Sequence, residues 1–242
     1  MKLDILAFGA HPDDVELSCV GTLLAEKMNG KKVGIIDLTQ GELGTRGTAE
    51  TRKQEAKAAV AITGADIREN LKMADGFFKN EEENQRKIIT VLRKYQPEIV
   101  LCNAPEDRHP DHGRAAQLIN DAAFLSGLTK IETKENSSLQ KAWKPKYVFN
   151  YIQDRYLQPN FIVDITKVFD KKVEAIKAYK TQFYNPDSQE PETYISSPEF
   201  LESIIYRAKW FGKLIGVKYA EGFISKKMIG IKSFDALIKN NT

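Results

Sequence analysis

The sequence predicts an α/β protein: a Rossmann-like three-layer sandwich with a mostly parallel sheet, carrying a C-terminal extension of further strands and helices. Three observations predict it. Short apolar runs alternate with helix-period segments through the first half of the chain. Glycine or proline closes the helical segments. Histidine-containing clusters fall where predicted strands give way to helices, the edge at which open parallel sheets bind ligands.

The elements follow in order. Residues 3–10 read as a buried strand, and Leu17, Val20, Leu24 and Met28 then recur at helical spacing until Gly30. Residues 33–39 are a second strand, residues 48–63 a helix closed by Gly64, and residues 70–73 a weaker strand. Ile88, Val91, Leu92 and Tyr95 mark a third helix, with Pro97 just beyond it. Residues 99–103 are a fourth strand, and Ala115, Leu118, Ile119, Ala122 and Leu125 mark a fourth helix. Alternation of this kind implies a parallel sheet with helices on both faces. In the second half, residues 130–146 read as a polar surface loop and residues 147–152 and 161–165 as strands. Residues 167–179 are a helix, residues 185–198 a long loop, and residues 198–212 a last helix with Pro198 in its first turn. The aromatic set Tyr206, Trp210 and Phe211 on that helix reads as core or subunit interface.

The 242 residues suit one domain, with a core over about residues 1–128 and an extension over about 129–242. The net charge of +3 comes from basic residues spread along the chain, which excludes the clustered stripe of a nucleic-acid binder. No run approaches the ~20 apolar residues of a membrane span. A cleaved signal peptide is not expected, because removing it would take away residues needed for the chemistry below; the expected location is cytoplasmic. Cys19 and Cys102 lie in apolar surroundings and read as reduced core thiols.

All three histidines fall in two clusters, Ala10-His11-Pro12-Asp13-Asp14-Val15-Glu16 and Arg108-His109-Pro110-Asp111-His112. Each follows a predicted strand and opens a helix, so the two can meet in one crevice. His11 and Asp14 are three apart, as are His109 and His112, and residues three apart share a helix face. One imidazole and one carboxylate from the first cluster, with one imidazole from the second, form the N/O set of a catalytic zinc site with an open position. Asp13 points away from Asp14 and is placed to act as general base. As an imidazolium, His109 would stabilise an oxyanion or protonate a leaving amine, with Asp111 orienting it. The competing reading of either cluster is a helix cap. Residues 41–48 form a glycine-rich loop that should border the same crevice. Arg46, Arg52 and Arg108 are candidate cations for a carboxylated substrate; Arg52 could instead pair with Glu50 or Glu55 on an exposed helix face. Gln182 is placed to reach a sugar and Tyr184 to cover the pocket.

These motifs, with Gly21-Thr22-Leu23 and Thr39-x-Gly41-Glu42, resemble the LmbE-like or PIG-L family of zinc-dependent N-acetylglucosamine deacetylases over most of the chain. Residues 37–48, Glu69-Asn70-Leu71 and residues 219–223 are similar to its bacillithiol-biosynthesis branch, which deacetylates N-acetylglucosaminyl-malate. The resemblance implies His11, Asp14 and His112 as zinc ligands, although another divalent metal is compatible. It further implies Asp13 as general base, His109 as transition-state histidine with Asp111 behind it, Arg52 as a substrate contact, and a homo-oligomer such as a hexamer. Where the family has Gly-Gly, this chain reads Val20-Gly21. Inositol and chito-oligosaccharide conjugates are alternative substrates. Two other readings are a non-catalytic metal-binding protein and a dinucleotide-binding protein. The second is disfavoured because the turn after the first strand lacks the glycine fingerprint and carries two carboxylates that would repel a pyrophosphate.

Overall fold

A computed structural model describes residues 1–237. Strand β1 (Ile5–Gly9) leads into helices α1 (Asp14–Ser18) and α2 (Val20–Met28). The single helix expected here is broken at Cys19, whose φ of −137° leaves the helical region. Then come β2 (Val33–Thr39), α3 (Ala49–Thr63), β3 (Ile67–Met73), α4 (Glu82–Tyr95), β4 (Ile99–Cys102) and α5 (Pro110–Leu125). Thr48 caps α3 by accepting the Thr51 N–H, and Gly64 closes that helix at φ +65°. The predicted loop after α5 contains a small hairpin, β5 (Lys134–Glu135) and β6 (Ser138–Leu139). β7 (Tyr147–Tyr151), β8 (Phe161–Asp164), α6 (Phe169–Lys177) and α7 (Pro198–Ile215) follow. A last strand, β9 (Ala220–Ser225), is not predicted from the sequence; Glu221 and Gly222 interrupt its apolar pattern.

Seven strands form one sheet in the order β3-β2-β1-β4-β7-β9-β8. β1, β2, β3, β4 and β7 run parallel, whereas β9 is antiparallel to both β7 and β8. Side chains alternate between the two faces, as the pleat requires. Leu6, Phe8, Ile36 and Leu38 pack against Ile88, Leu92, Leu118 and Ile119 of α4 and α5. Ile5, Ala7, Val33 and Ile35 pack the other way, against Val15 of α1 and Val20 and Leu23 of α2. Beyond them, α3 meets α6 and α7 through Ala56, Ala59, Ile176, Phe200 and Ile204.

The extension is tied to the core by a buried carboxylate. Glu221 of β9 accepts hydrogen bonds from the Gly21 and Thr22 N–H groups and from Lys172 of α6. A Cβ on Gly21 would lie 2.8 Å from Glu221 Oε1, so glycine is needed there. Val20, which stands where the family pattern has glycine, is fully buried. On α7, Phe211 is core, whereas Tyr206 and Trp210 are exposed, which corrects the core reading for those two. Cys19 and Cys102 are buried and unpaired with each other. Among the described residues, no helix is long and apolar enough to cross a membrane.

β2 and β3 lie on one side of β1, and β4 and β7 on the other. The carboxyl ends of β1 and β4 therefore flank the point at which the strand order reverses, where this architecture opens a crevice.

Candidate active site

The crevice is a pocket of about 490 Å³ lined by residues that follow the carboxyl ends of five strands. β1 supplies His11, Asp13 and Asp14, the loop after β2 supplies residues 43–46, and the turn after β3 supplies Asp75 and Phe77. β4 leads to Asp107, Arg108, His109 and His112, and β7 to Gln153 and Asp154. The three imidazoles meet here. His11 lies 4.6 Å from His109 and 5.7 Å from His112 between ring centroids, and one nitrogen of each ring lies within 4.8 Å of the others.

Each candidate ligand ring has one nitrogen turned to a carboxylate behind it. His112 Nδ1 lies 2.5 Å from Asp107 Oδ2. His11 Nε2 lies 3.0 Å from Asp75 Oδ1 and 3.3 Å from Asp111 Oδ2. That leaves His112 Nε2, 3.2 Å from Asp14 Oδ1, and His11 Nδ1, 3.6 Å from Asp14 Oδ2, facing the same carboxylate. Asp14 is in turn fixed by hydrogen bonds from the His11 N–H, Asn103 Nδ2 and Gln153 Nε2. Two imidazoles with free nitrogens on one carboxylate, each backed by another carboxylate, form a donor set suited to a divalent cation. The electrostatics agree. Burial opposes protonation of His112, but Asp14 and Asp107 push it up to about 9. Burial likewise opposes protonation of His11, and Asp111, Asp14 and Asp75 together raise it well above its ordinary value. A field that holds protons on two buried imidazoles also favours a cation.

Asp13 stays out of this set. It sits at the N-cap of α1 with φ 119°, a left-handed conformation that is costly for a non-glycine residue, and its side chain makes no capping bond. Instead Oδ2 pairs with Arg52 Nη2 at 2.7 Å. Burial raises the Asp13 carboxyl to about 7, against the pull of the Arg52 cation. Arg52, on α3, is 5% exposed and donates also to the Pro12 carbonyl. Its guanidinium lines the pocket and is engaged there by Asp13, a pairing not predicted from the sequence. Neither Glu50 nor Glu55 is its partner, since Glu55 accepts from Thr181. The guanidinium lies close against Gly41, where a Cβ would come within 2.6 Å of it. Glycine at φ +65° leaves room for that approach.

His109 and Asp111 are arranged differently from expectation. The Asp111 carboxylate faces His11, accepts the Gly76 N–H and lies 2.7 Å from Arg114. It does not orient His109. The His109 Nδ1 instead accepts the Asp111 backbone N–H at the start of α5. Burial, with the neighbouring His11 and His112, pushes His109 down to about 4. The ring is therefore neutral at pH 7, with its proton on Nε2, and the expected resting imidazolium is replaced by a neutral hydrogen-bond donor.

The mouth departs most from what the sequence predicts. Arg46 lines the pocket but is 4% exposed and held by Ser188 Oγ and by Glu190, 3.6 Å from its Nε, so it latches the 185–198 loop. Gln182 lines the pocket but donates to the Arg46 carbonyl. Tyr184 is half exposed and does not line the pocket. Tyr194, which no sequence motif singles out, does. Its ring lies 4.4 Å from the Arg108 guanidinium, and its hydroxyl donates to Asp154. Arg108 itself is exposed at the rim.

Sequence reasoning missed Asn103, Asp75, Asp107 and Gln153. Asp107 and Asn103 had a signal, since both sit between the end of β4 and the second histidine cluster. Asp75 and Gln153 follow strands with no motif around them, and only the sheet order brings them in.

Residues 6–123 match the PIG-L family, described as GlcNAc-PI de-N-acetylase. The chain is 30% identical to the diacetylchitobiose deacetylase of Thermococcus kodakarensis over 90% of this chain and 81% of that protein. It is 26% identical to the 4-oxalmesaconate hydratase of Pseudomonas putida over 73% of each. Among solved structures, the conserved protein TT1542 of Thermus thermophilus superimposes with a TM-score of 0.84 at 34% identity, covering 95% of this chain and 98% of that one. The chain belongs to the PIG-L, LmbE-like deacetylase family.

Proposed function

We propose that this chain is a cytoplasmic, single-domain, zinc-dependent deacetylase of an N-acetylglucosamine conjugate with an anionic aglycone, converting N-acetylglucosaminyl-malate to glucosaminyl-malate in bacillithiol biosynthesis. The observation that carries the reading is the unligated Asp13 carboxylate beside the convergent His11, Asp14 and His112. Those three residues would hold the metal, with the neutral nitrogens His11 Nδ1 and His112 Nε2 as donors. A divalent ion bound there supplies Lewis acidity and lowers the pKa of water towards 7. Asp13 takes the proton of the attacking water, kept in place for that role by Arg52. His109 donates its Nε2–H to the oxygen of the tetrahedral species. The C–N bond then breaks, the proton held by Asp13 passes to the departing amine, and acetate leaves without a covalent enzyme intermediate.

Arg108 supports the anionic aglycone. Arg46 and Arg52 are buried in ion pairs, and Arg207 is only partly exposed. Arg108 pairs with Asp154 at 3.3 Å but does so at the exposed rim, which makes it the lining arginine most accessible to a carboxylate at the mouth. The test is acetate release from a panel of N-acetylglucosaminides carrying malate, inositol or a second sugar. The malate conjugate should be preferred, and Arg108→Ala should raise KM for it about tenfold or more, with little change for the uncharged conjugates. Equal rates across the panel would remove the malate assignment. Hydration of an unsaturated dicarboxylate without acetate release would remove the deacetylase reading itself.

A further inference from the structure

Two large apolar side chains stand exposed at the rim of the pocket. Phe77 is 74% exposed and Leu43 62% exposed, and both line the pocket. The neighbouring Phe78 is 2% exposed, so the chain could bury a phenylalanine at this turn and turns Phe77 outward. The turn is rigid. The Phe77 and Phe78 N–H groups both donate to the Ala74 carbonyl, and the Gly76 carbonyl accepts from Arg114. The Gly76 N–H donates to Asp111, which also contacts His11 and Arg114, so the turn is anchored to the centre of the site. Leu43 is fixed to the same turn. Its N–H donates to Asp75 Oδ2, while Glu42 Oε1 accepts the Asp75 N–H. A Cβ added to Gly76 would lie 3.3 Å from Leu43 Cδ1. The two side chains thus form one preorganised surface, continuous with the pocket that holds Asp13 and His109.

Exposed apolar side chains that line a polar pocket offer a surface for the apolar part of a ligand. A pyranose presents such a ligand, because its ring carries carbon-bound hydrogens on its faces and hydroxyls at its edge. We propose that Leu43 and Phe77 form a shelf that receives the apolar face of the substrate's sugar ring, setting the enzyme's preference for N-acetylated sugars over other acetamides. Neither residue reaches the reacting atoms. They are specificity residues, and the inference rests on the deacetylase reading above.

The test compares wild type, Phe77→Ala, Phe77→Trp and Leu43→Ala on N-acetylglucosamine conjugates and on an acyclic N-acetyl amine. Binding of N-acetylglucosamine is followed in parallel by saturation-transfer NMR. For Phe77→Ala, KM for the sugar should rise about tenfold, equivalent to about 1.4 kcal/mol, with kcat within about twofold. The acyclic substrate should be unaffected, and Phe77→Trp should restore the wild-type KM. The shelf is overturned by an unchanged KM, by an equal rise for the acyclic substrate, or by a change in oligomeric state that accounts for the loss. The two ideas fail separately. Sugar binding that depends on Phe77 without acetate release would sink the deacetylase reading and keep the shelf, whereas turnover indifferent to Phe77 does the reverse.

Discussion

Asp107→Asn tests how the site selects the nitrogen it offers to a metal. Asp107 Oδ2 lies 2.5 Å from His112 Nδ1, while Oδ1 accepts the backbone N–H groups of Asp154 and Arg155 at 3.1 and 2.7 Å. Asparagine retains one oxygen. Turning that oxygen to His112 would set an amide N–H₂ against two backbone donors, at a cost of roughly 1–3 kcal/mol for each unsatisfied group. The oxygen will therefore stay on the backbone, and the N–H₂ will face Nδ1. Nδ1 must then accept, which leaves the ring proton on Nε2, the nitrogen that faces Asp14. A metal can bind there only after the tautomer is reversed. Loss of a carboxylate behind a ligating histidine typically weakens metal binding about 10–100-fold, or about 1.4–2.8 kcal/mol. Competition against a chromogenic zinc chelator measures this directly, and thermal unfolding of the metal-free protein checks that the fold is intact. Wild-type affinity in a normally folded variant would refute the tautomer argument.

Two further outcomes follow from buried and half-buried ion pairs. Arg52→Met leaves Asp13 buried without its cation, so stability should fall by up to about 3 kcal/mol. In acetate-release assays kcat should drop at least about tenfold with KM and metal content little changed, and Arg52→Lys should recover part of it. Glu69, a third exposed, accepts from Lys94 at 2.7 Å and from Tyr95. Burial works against its ionisation, but these partners hold it below its ordinary value of 4.5. A depressed carboxyl contributes stability above its unfolded value and loses it as pH falls through the folded one. Glu69→Gln should therefore lower stability at pH 7 by less than about 1 kcal/mol for a pair this exposed, seen as a small drop in Tm. The difference should vanish well below pH 4.5, as followed by circular dichroism melts.

Much of this fold is legible because β1 and β4 are continuous apolar runs and β2 is one interrupted only by Asp37, all largely buried and separated by helices. β9 is not legible, because its buried Glu221 is accommodated only by Lys172 and the Gly21 and Thr22 amides, from distant parts of the chain. The histidine clusters are legible because each fits within one strand–turn–helix unit. What each carboxylate touches is not. Asp111 lies two residues from His109, yet its carboxylate faces His11 across the crevice, because β4 lies beside β1 in the sheet. Arg46 and Arg52 look like anion-binding residues in sequence, but each has an internal acidic partner, Glu190 and Asp13, that only tertiary structure supplies. The rim is hardest to read, since a loop's exposure depends on what packs beneath it.

Metal content measured alongside turnover in Asp13→Asn, with His11→Ala as the reference for a lost ligand, tests the division of labour in this crevice. The account predicts one zinc per chain in Asp13→Asn with acetate release reduced by several orders of magnitude, and little zinc in His11→Ala. Near-wild-type turnover by Asp13→Asn, or loss of its zinc, would contradict it.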